Sequence, residues 1–93
     1  MSNYNFEINN KVYSVAGSKD GYKTFFEAVQ VTDWNRVGFI GCYFPATKNC
    51  GFLVKDQNDV EYKFSAQSTG PKNAAQLCLT AFLSMIPNYS EVY

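Results

Sequence analysis

The sequence predicts an α+β fold, an antiparallel β-sheet of five or six strands in meander order packed by one C-terminal α-helix. Three observations carry that expectation. Between about residues 4 and 66, apolar and polar residues alternate with period two in short runs separated by turn clusters. Only one later stretch, Pro71 to Ile86, places apolar residues at steps of three and four. The 93 residues contain no internal repeat, low-complexity run or linker, so the whole chain, 1–93, reads as a single domain with a short tail over 87–93.

The first strand pair is written by Tyr4, Phe6 and Ile8 before Asn9-Asn10, and by Tyr13 and Val15 after it. A two-residue loop at the asparagines sets Ile8 opposite Lys11, Phe6 opposite Tyr13 and Tyr4 opposite Val15, which gathers the aromatics on one side. Gly17 to Gly21 reads as turn chemistry throughout. Tyr22 to Thr32 then forms a strand apolar on both faces, with Phe26 and Ala28 on one and Phe25, Val29 and Val31 on the other. Such a strand is central in its sheet, or has its second face covered by a partner. A loop follows over Thr32 to Arg36, holding the only tryptophan.

Val37 to Phe44 is nearly continuous apolar, and Gly38 and Gly41 within it mark a bulge or a close approach of other backbone. Cys50 to Lys55 and Asp59 to Ala66 read as a hairpin around Asp56-Gln57-Asn58, with Lys55 opposite Asp59, Phe52 opposite Tyr62, and Asn58 taking the left-handed conformation. In the helix, Ala74, Leu77, Cys78, Ala81, Phe82 and Met85 make the apolar stripe. Thr69 or Gly70 serves as N-cap, Pro71 suits the first helical position, and Pro87 forbids continuation. A helix of this length is marginal alone in water, so the stripe must be buried, and the strands supply the face.

Composition excludes more than it proposes. The chain has no histidine, which removes Ser-His and Cys-His nucleophilic arrangements, the histidine general base and every metal site that mixes histidine with thiolate or carboxylate. Neither G-x-x-x-x-G-K-[ST] nor G-x-G-x-x-G occurs. Glu27, Asp33, Asp56, Asp59 and Glu61 read as solvated acids of turns and strands. The expectation is therefore a protein that is not an enzyme and uses no cofactor and no metal. Three cysteines, Cys42, Cys50 and Cys78, are an odd count, and Met1 to Ile8 lacks the basic start and apolar run of a secretory leader, so a reducing, cytoplasmic setting is expected. Whether Cys42 and Cys50 pair across their turn is left open. No apolar run is long enough to span a bilayer, so no membrane partner is expected.

Eight basic residues balance eight acidic ones, so no net field steers the chain toward a polyanion. Aromatics are the surplus: seven Tyr, eight Phe and one Trp make up 17% of the chain, more than one small core can hold. Two constellations stand out. Asp33-Trp34-Asn35-Arg36 combines Trp and Arg, the types most enriched at binding hot spots, unless Trp34 folds back to close the core. Tyr22-Lys23-Thr24-Phe25-Phe26 alternates aromatic and basic residues along a strand, a pattern able to stack bases and pair phosphates with Tyr22 and Lys23 as its candidates, unless the run is simply the two faces of a buried strand.

Phe6-Glu7-Ile8, Ser18 to Lys23 and Trp34-Asn35-Arg36 together resemble, in spacing, the single-stranded-DNA-binding coactivator domains of the positive-cofactor type. The likeness covers about a third of the chain. It implies a sheet of four strands followed by one helix, and single-stranded nucleic acid as the ligand. After Arg36 the chain departs from that pattern, because the apolar run Val37 to Phe44 stands where a more charged strand belongs. Lys11, Lys23, Arg36, Lys48, Lys55, Lys63 and Lys72 would have to collect on one face, yet Glu27 and Glu61 share strand faces with Lys23 and Lys63.

The leading expectation is a small non-enzymatic protein-binding module that occludes a surface of a larger partner, or a homo-oligomer. A small inhibitor carried by a phage or mobile element fits this size and composition. The alternative is the single-stranded nucleic-acid-binding domain that the resemblance implies.

Overall fold

A computed structural model describes residues 2–86 of the chain. Six strands, β1 (Ser2–Ile8), β2 (Lys11–Asp20), β3 (Lys23–Gln30), β4 (Asn35–Phe44), β5 (Asn49–Lys55) and β6 (Glu61–Gln67), precede one helix, α1 (Pro71–Met85). The strands form one antiparallel sheet in sequence order, and α1 packs against one face of it. The fold is α+β, with two strands more than the coactivator resemblance implies. The tail expected over 87–93 lies outside the described residues.

The first hairpin has the expected register, Ile8 opposite Lys11 through Tyr4 opposite Val15. Asn9 and Asn10 both take positive φ, 53° and 64°, the conformation a two-residue hairpin loop needs to match strand twist. Gly17 to Asp20 differ from expectation. They continue β2 in register with β3, and only Gly21-Tyr22 make the turn. Turn-forming composition here yields to a full ladder of cross-strand partners.

β4 carries two register shifts against β3, at Phe26/Glu27 and at Ala28/Val29. Each inserts one extra residue, so that Val37 with Gly38 and Ile40 with Gly41 lie buried as neighbouring pairs. Glycine is required at Gly41: its φ is +144°, and a Cβ there would stand 2.7 Å from the Gly51 carbonyl oxygen and 2.8 Å from Cys78 Sγ. β4 and β5 pair through only Cys42–Gly51, Tyr43–Cys50 and Phe44–Asn49. Beyond Gly51, β5 leaves β4 and follows β6, and Cys78 of α1 lies against this seam.

The β5–β6 hairpin is shifted by two residues from the expected register, with Lys55 opposite Glu61 and Phe52 opposite Phe64. The cause is Asp56. Its Oδ1 accepts the N–H groups of Asn58 (2.8 Å) and Val60 (2.9 Å), and its Oδ2 accepts the Tyr62 hydroxyl (3.2 Å), so the side chain stabilises a longer loop. Asp59 rather than Asn58 takes the left-handed backbone, at φ 66°. A shift of two preserves the facing of every side chain, so Phe52, Val54, Tyr62 and Phe64 still point toward the helix side.

Gly70 is the N-cap of α1 but offers no side chain. Buried Ser68 ties the start of the helix to the preceding chain without capping a helix N–H: its Oγ donates to the Gly70 carbonyl (2.7 Å) and accepts from Asn73 Nδ2 (3.1 Å). The buried stripe is Ala74, Ala75, Cys78, Leu79 and Phe82, rotated from the expected one toward Ala75 and Leu79, whereas Met85 is 38% exposed. The helix packs mainly against bulged β4, whose Val37 and Ile40 belong to the same buried core. With Phe26, Val15 and Phe52 these residues form the core, each large side chain contributing roughly 1.5 to 3 kcal/mol on burial. Phe52 meets Phe82 edge-on at 5.4 Å and 70°.

All three cysteines are free thiols. Cys42 and Cys50 fall in adjacent rungs of the β4–β5 ladder, opposite Gly51 and Tyr43 respectively, and so point to opposite faces. Cys50 instead lies beside Cys78, whose thiol hydrogen-bonds to it inside the core. Burial raises the Cys50 and Cys78 thiols above their ordinary range, most strongly at Cys78, so both stay protonated near neutral pH.

Candidate protein-binding surface

The sheet face away from α1 has no covering layer among the described residues. Strict alternation along β3 sends Phe26, Ala28 and Gln30 into the core and Lys23, Phe25, Glu27 and Val29 to this open face. On β4 the same face receives Arg36 opposite Val29, Phe39 opposite Glu27, Cys42 opposite Phe25, and then Phe44. Leu53 of β5 joins them at 62% exposure. The result is an apolar band down the middle of the face, flanked by Ser14, Ala16 and Ser18 of β2 on one side and by Lys63 and Ser65 of β6 on the other.

The two candidate clusters stand at opposite ends of this band. Tyr22, in the β2–β3 turn, is 74% exposed and stacks on Phe44 with ring centroids 6.0 Å apart. Lys23 lays its ammonium 4.7 Å from the Phe25 ring centroid and 5.8 Å from that of Tyr22, a cation–π arrangement that extends the aromatic surface. Trp34, in the β3–β4 turn, is 80% exposed and so does not close the core. Eight residues of β3 separate the turns, roughly 26 Å at the usual rise per residue. The structure therefore does not bring Tyr22 and Lys23 together with Asp33, Trp34, Asn35 and Arg36. It connects them through Phe25 and Phe39, whose rings lie 6.2 Å apart.

The expected loop over Thr32 to Arg36 is shorter in the structure. The turn ends at Trp34, and Asn35 and Arg36 are the first residues of β4. Pairing with Gln30 and Val29 draws them into the ladder. The turn is firmly tied. Gln30, only 1% exposed, accepts the Asp33 N–H at 2.6 Å through Oε1 and donates from Nε2 to Asp33 Oδ2 at 3.2 Å. Thr32 Oγ1 accepts the Val12 N–H at 2.8 Å, and the Val31 N–H donates to the Val12 carbonyl at 2.9 Å. Lys11 forms an ion pair with Asp33 at 3.1 Å and, with Gln30, holds that carboxyl below the usual carboxylate range. Trp34 itself sits at φ 59°, a left-handed conformation that a bulky residue keeps only where its surroundings impose it.

Charge on the face is mixed. Arg36 meets Glu27 at 3.8 Å, Lys23 stands opposite Asp20 in the ladder, and Lys63 shares its strand face with Glu61. At the seam between β4 and β5 a cleft of about 460 Å³ opens beside Phe44, lined by Cys42, Thr47, Leu53 and Phe64 among others and by no charged side chain. Phe39 and Phe44 escape a sequence reading because the two bulges hide the period of β4. Phe25 and Val29 were legible as the second apolar face of a central strand.

Among the described residues no group of three or more Cys, Asp or Glu side chains is placed to hold a metal ion, and no helix is long and apolar enough to cross a membrane. Comparison with protein-family models, with curated proteins and with solved structures finds no match to this chain.

Proposed function

We propose that the protein is a small non-enzymatic binding module whose open sheet face, between Tyr22 and Trp34, occludes a surface of a larger protein partner. One observation carries the reading: two large aromatics, each about three-quarters exposed or more, bracket a band of partly buried Phe25, Phe39 and Phe44 on a face that nothing in the described chain covers. Solvated aromatic surface of this extent is costly to leave open, and Trp, Tyr and Arg are the side chains that carry most binding energy at protein interfaces. The tied turn adds to the argument, because an anchor already fixed in its conformation loses little entropy on docking. The cleft at the β4–β5 seam offers a receptor for one apolar side chain of the partner. An inhibitor of phage or mobile-element origin is the biological role that best suits such a compact occluding surface.

Single-stranded nucleic acid is the weaker reading. The Lys23, Phe25 and Tyr22 cluster has the form of a base-stacking site, but Glu27, Asp20 and Glu61 stand among the cations of the same face and offset their field. Equilibrium anisotropy titration with labelled mixed-sequence oligonucleotides separates the two. Protein binding predicts no saturable signal at physiological salt. Micromolar affinity that falls with salt at about 0.7 in logarithmic slope per neutralised phosphate favours the nucleic-acid reading.

A further inference from the structure

The six-stranded sheet has two edges, β1 and β6, and they are not treated alike. Natural edge strands are blunted by lysine, proline, bulges or brevity, because an open row of backbone N–H and C=O groups recruits other strands. β6 carries Glu61 and Lys63 at exposed positions. β1 is seven residues long, pairs with β2 without a register shift, contains no lysine or proline, and has a single charged side chain, Glu7.

The backbone groups that β1 presents outward can be assigned from its hairpin. In a two-residue loop the flanking pair, here Ile8 and Lys11, is a hydrogen-bonded pair, so Phe6 and Tyr4 also bond to β2 and the intervening residues do not. The other side of the hairpin agrees: Val12, opposite Glu7, directs its carbonyl to Val31 and its N–H to Thr32, away from β1. Asn3, Asn5 and Glu7 therefore turn their backbone donors and acceptors to the outer edge, where no strand of the described residues meets them.

We infer that this edge pairs with β1 of a second copy of the chain, antiparallel, with Asn5 on the two-fold axis. That register is selected by the strand itself. It alone makes hydrogen-bonded pairs of all three outward residues, Asn5 with its symmetry mate and Asn3 with Glu7 in both senses. Moving the axis to Glu7 sets like charges opposite each other, and moving it to Tyr4 or Phe6 leaves outward groups of β1 unmatched. On the core side of the sheet the same register brings partly buried Tyr4 beside Phe6 of the other copy, in the non-hydrogen-bonded position where side chains approach most closely. The contact is isologous and closes on itself, whereas β1 against β6 would propagate. It uses a different surface from the aromatic band, so either assignment can fail without the other.

The test is the mass of the full chain in solution by sedimentation equilibrium, with variants at an exposed side chain that leave the β1–β2 ladder intact. The wild type should form a species of twice 10.5 kDa as concentration rises. Asn5→Lys and Asn5→Glu each set like charges across the axis and should weaken association by more than about tenfold, while an equimolar mixture of the two should restore it by pairing opposite charges. Circular dichroism confirms that each variant is folded, and two variants of opposite charge guard against loss of either one. A wild-type chain that stays monomeric to its solubility limit overturns the inference. So does a dimer that both variants leave unchanged, which places the contact elsewhere, or a mixture that fails to associate.

Discussion

Trp34 keeps a left-handed backbone in a turn whose ties all come from other residues: Gln30, Lys11, Thr32 and Val12 hold the peptide, and the indole itself lies in solvent. Two outcomes follow. Native-state fluorescence should already lie close to that of a solvated indole and shift little on unfolding. Trp34→Ala should change the unfolding free energy by no more than about 0.5 kcal/mol, as for other exposed substitutions, while it weakens partner binding by about 2 kcal/mol or more. A strongly lowered denaturation midpoint would return Trp34 to the core.

The buried thiols make a second prediction at the same scale. Cys78 and Cys50 have folded-state pKa values above those of the unfolded chain, because burial penalises the thiolate. Their stabilising contribution is thus complete below the unfolded thiol value of about 8.5 and is lost as pH rises beyond it toward the folded values. Denaturant titrations at rising alkaline pH should show stability falling by up to roughly 1.4 kcal/mol per pH unit for each thiol. Cys78→Ala, whatever it costs at neutral pH, should make that slope shallower.

At the scale of elements, α1 is fastened by the stripe centred on Ala75, Cys78, Leu79 and Phe82. Leu79→Ala should cost about 2 to 5 kcal/mol, since Leu79 is fully buried in the core, whereas Met85→Ala should cost under about 1 kcal/mol; urea midpoints compare them directly. The helix was legible in its existence and start, and its stripe only to within one position. Period alone gives the stripe, but the partner surface decides where it is centred; Gly38 and Gly41 announce the bulges at Val37 and Ile40 in that surface, yet not how far the helix turns to meet it. The Asn9-Asn10 hairpin was legible to the residue because the turn is made by the backbone conformations its own residues favour. The β5–β6 hairpin was not, because its loop is built by the Asp56 side chain reaching across to Asn58, Val60 and Tyr62. For the candidate surface, the aromatic alternation of Tyr22 to Phe26 and the Trp-Arg pair were legible in the sequence, but their separation to opposite ends of one face was a matter of topology.

For the whole molecule, the sheet divides its aromatics between two destinations. Phe26, Phe52 and Phe82 belong to the core with the helix, and Phe25, Phe39, Phe44, Tyr22 and Trp34 belong to the open face or its two ends. That division explains how a chain of 93 residues carries sixteen aromatics on one small core. It also supplies the central claim, that the open face is a protein-binding surface. The most direct measurement is comparative affinity capture from a lysate of the cells in which the chain acts, using the wild type and the Tyr22→Ala/Trp34→Ala double variant, with quantitative mass spectrometry of both captures. Both substituted side chains are exposed, so the variant should fold as the wild type does, which circular dichroism verifies. The account predicts a specific protein that the wild type retains and the double variant loses. Capture of the same proteins by both chains, or of none by the wild type, would contradict it.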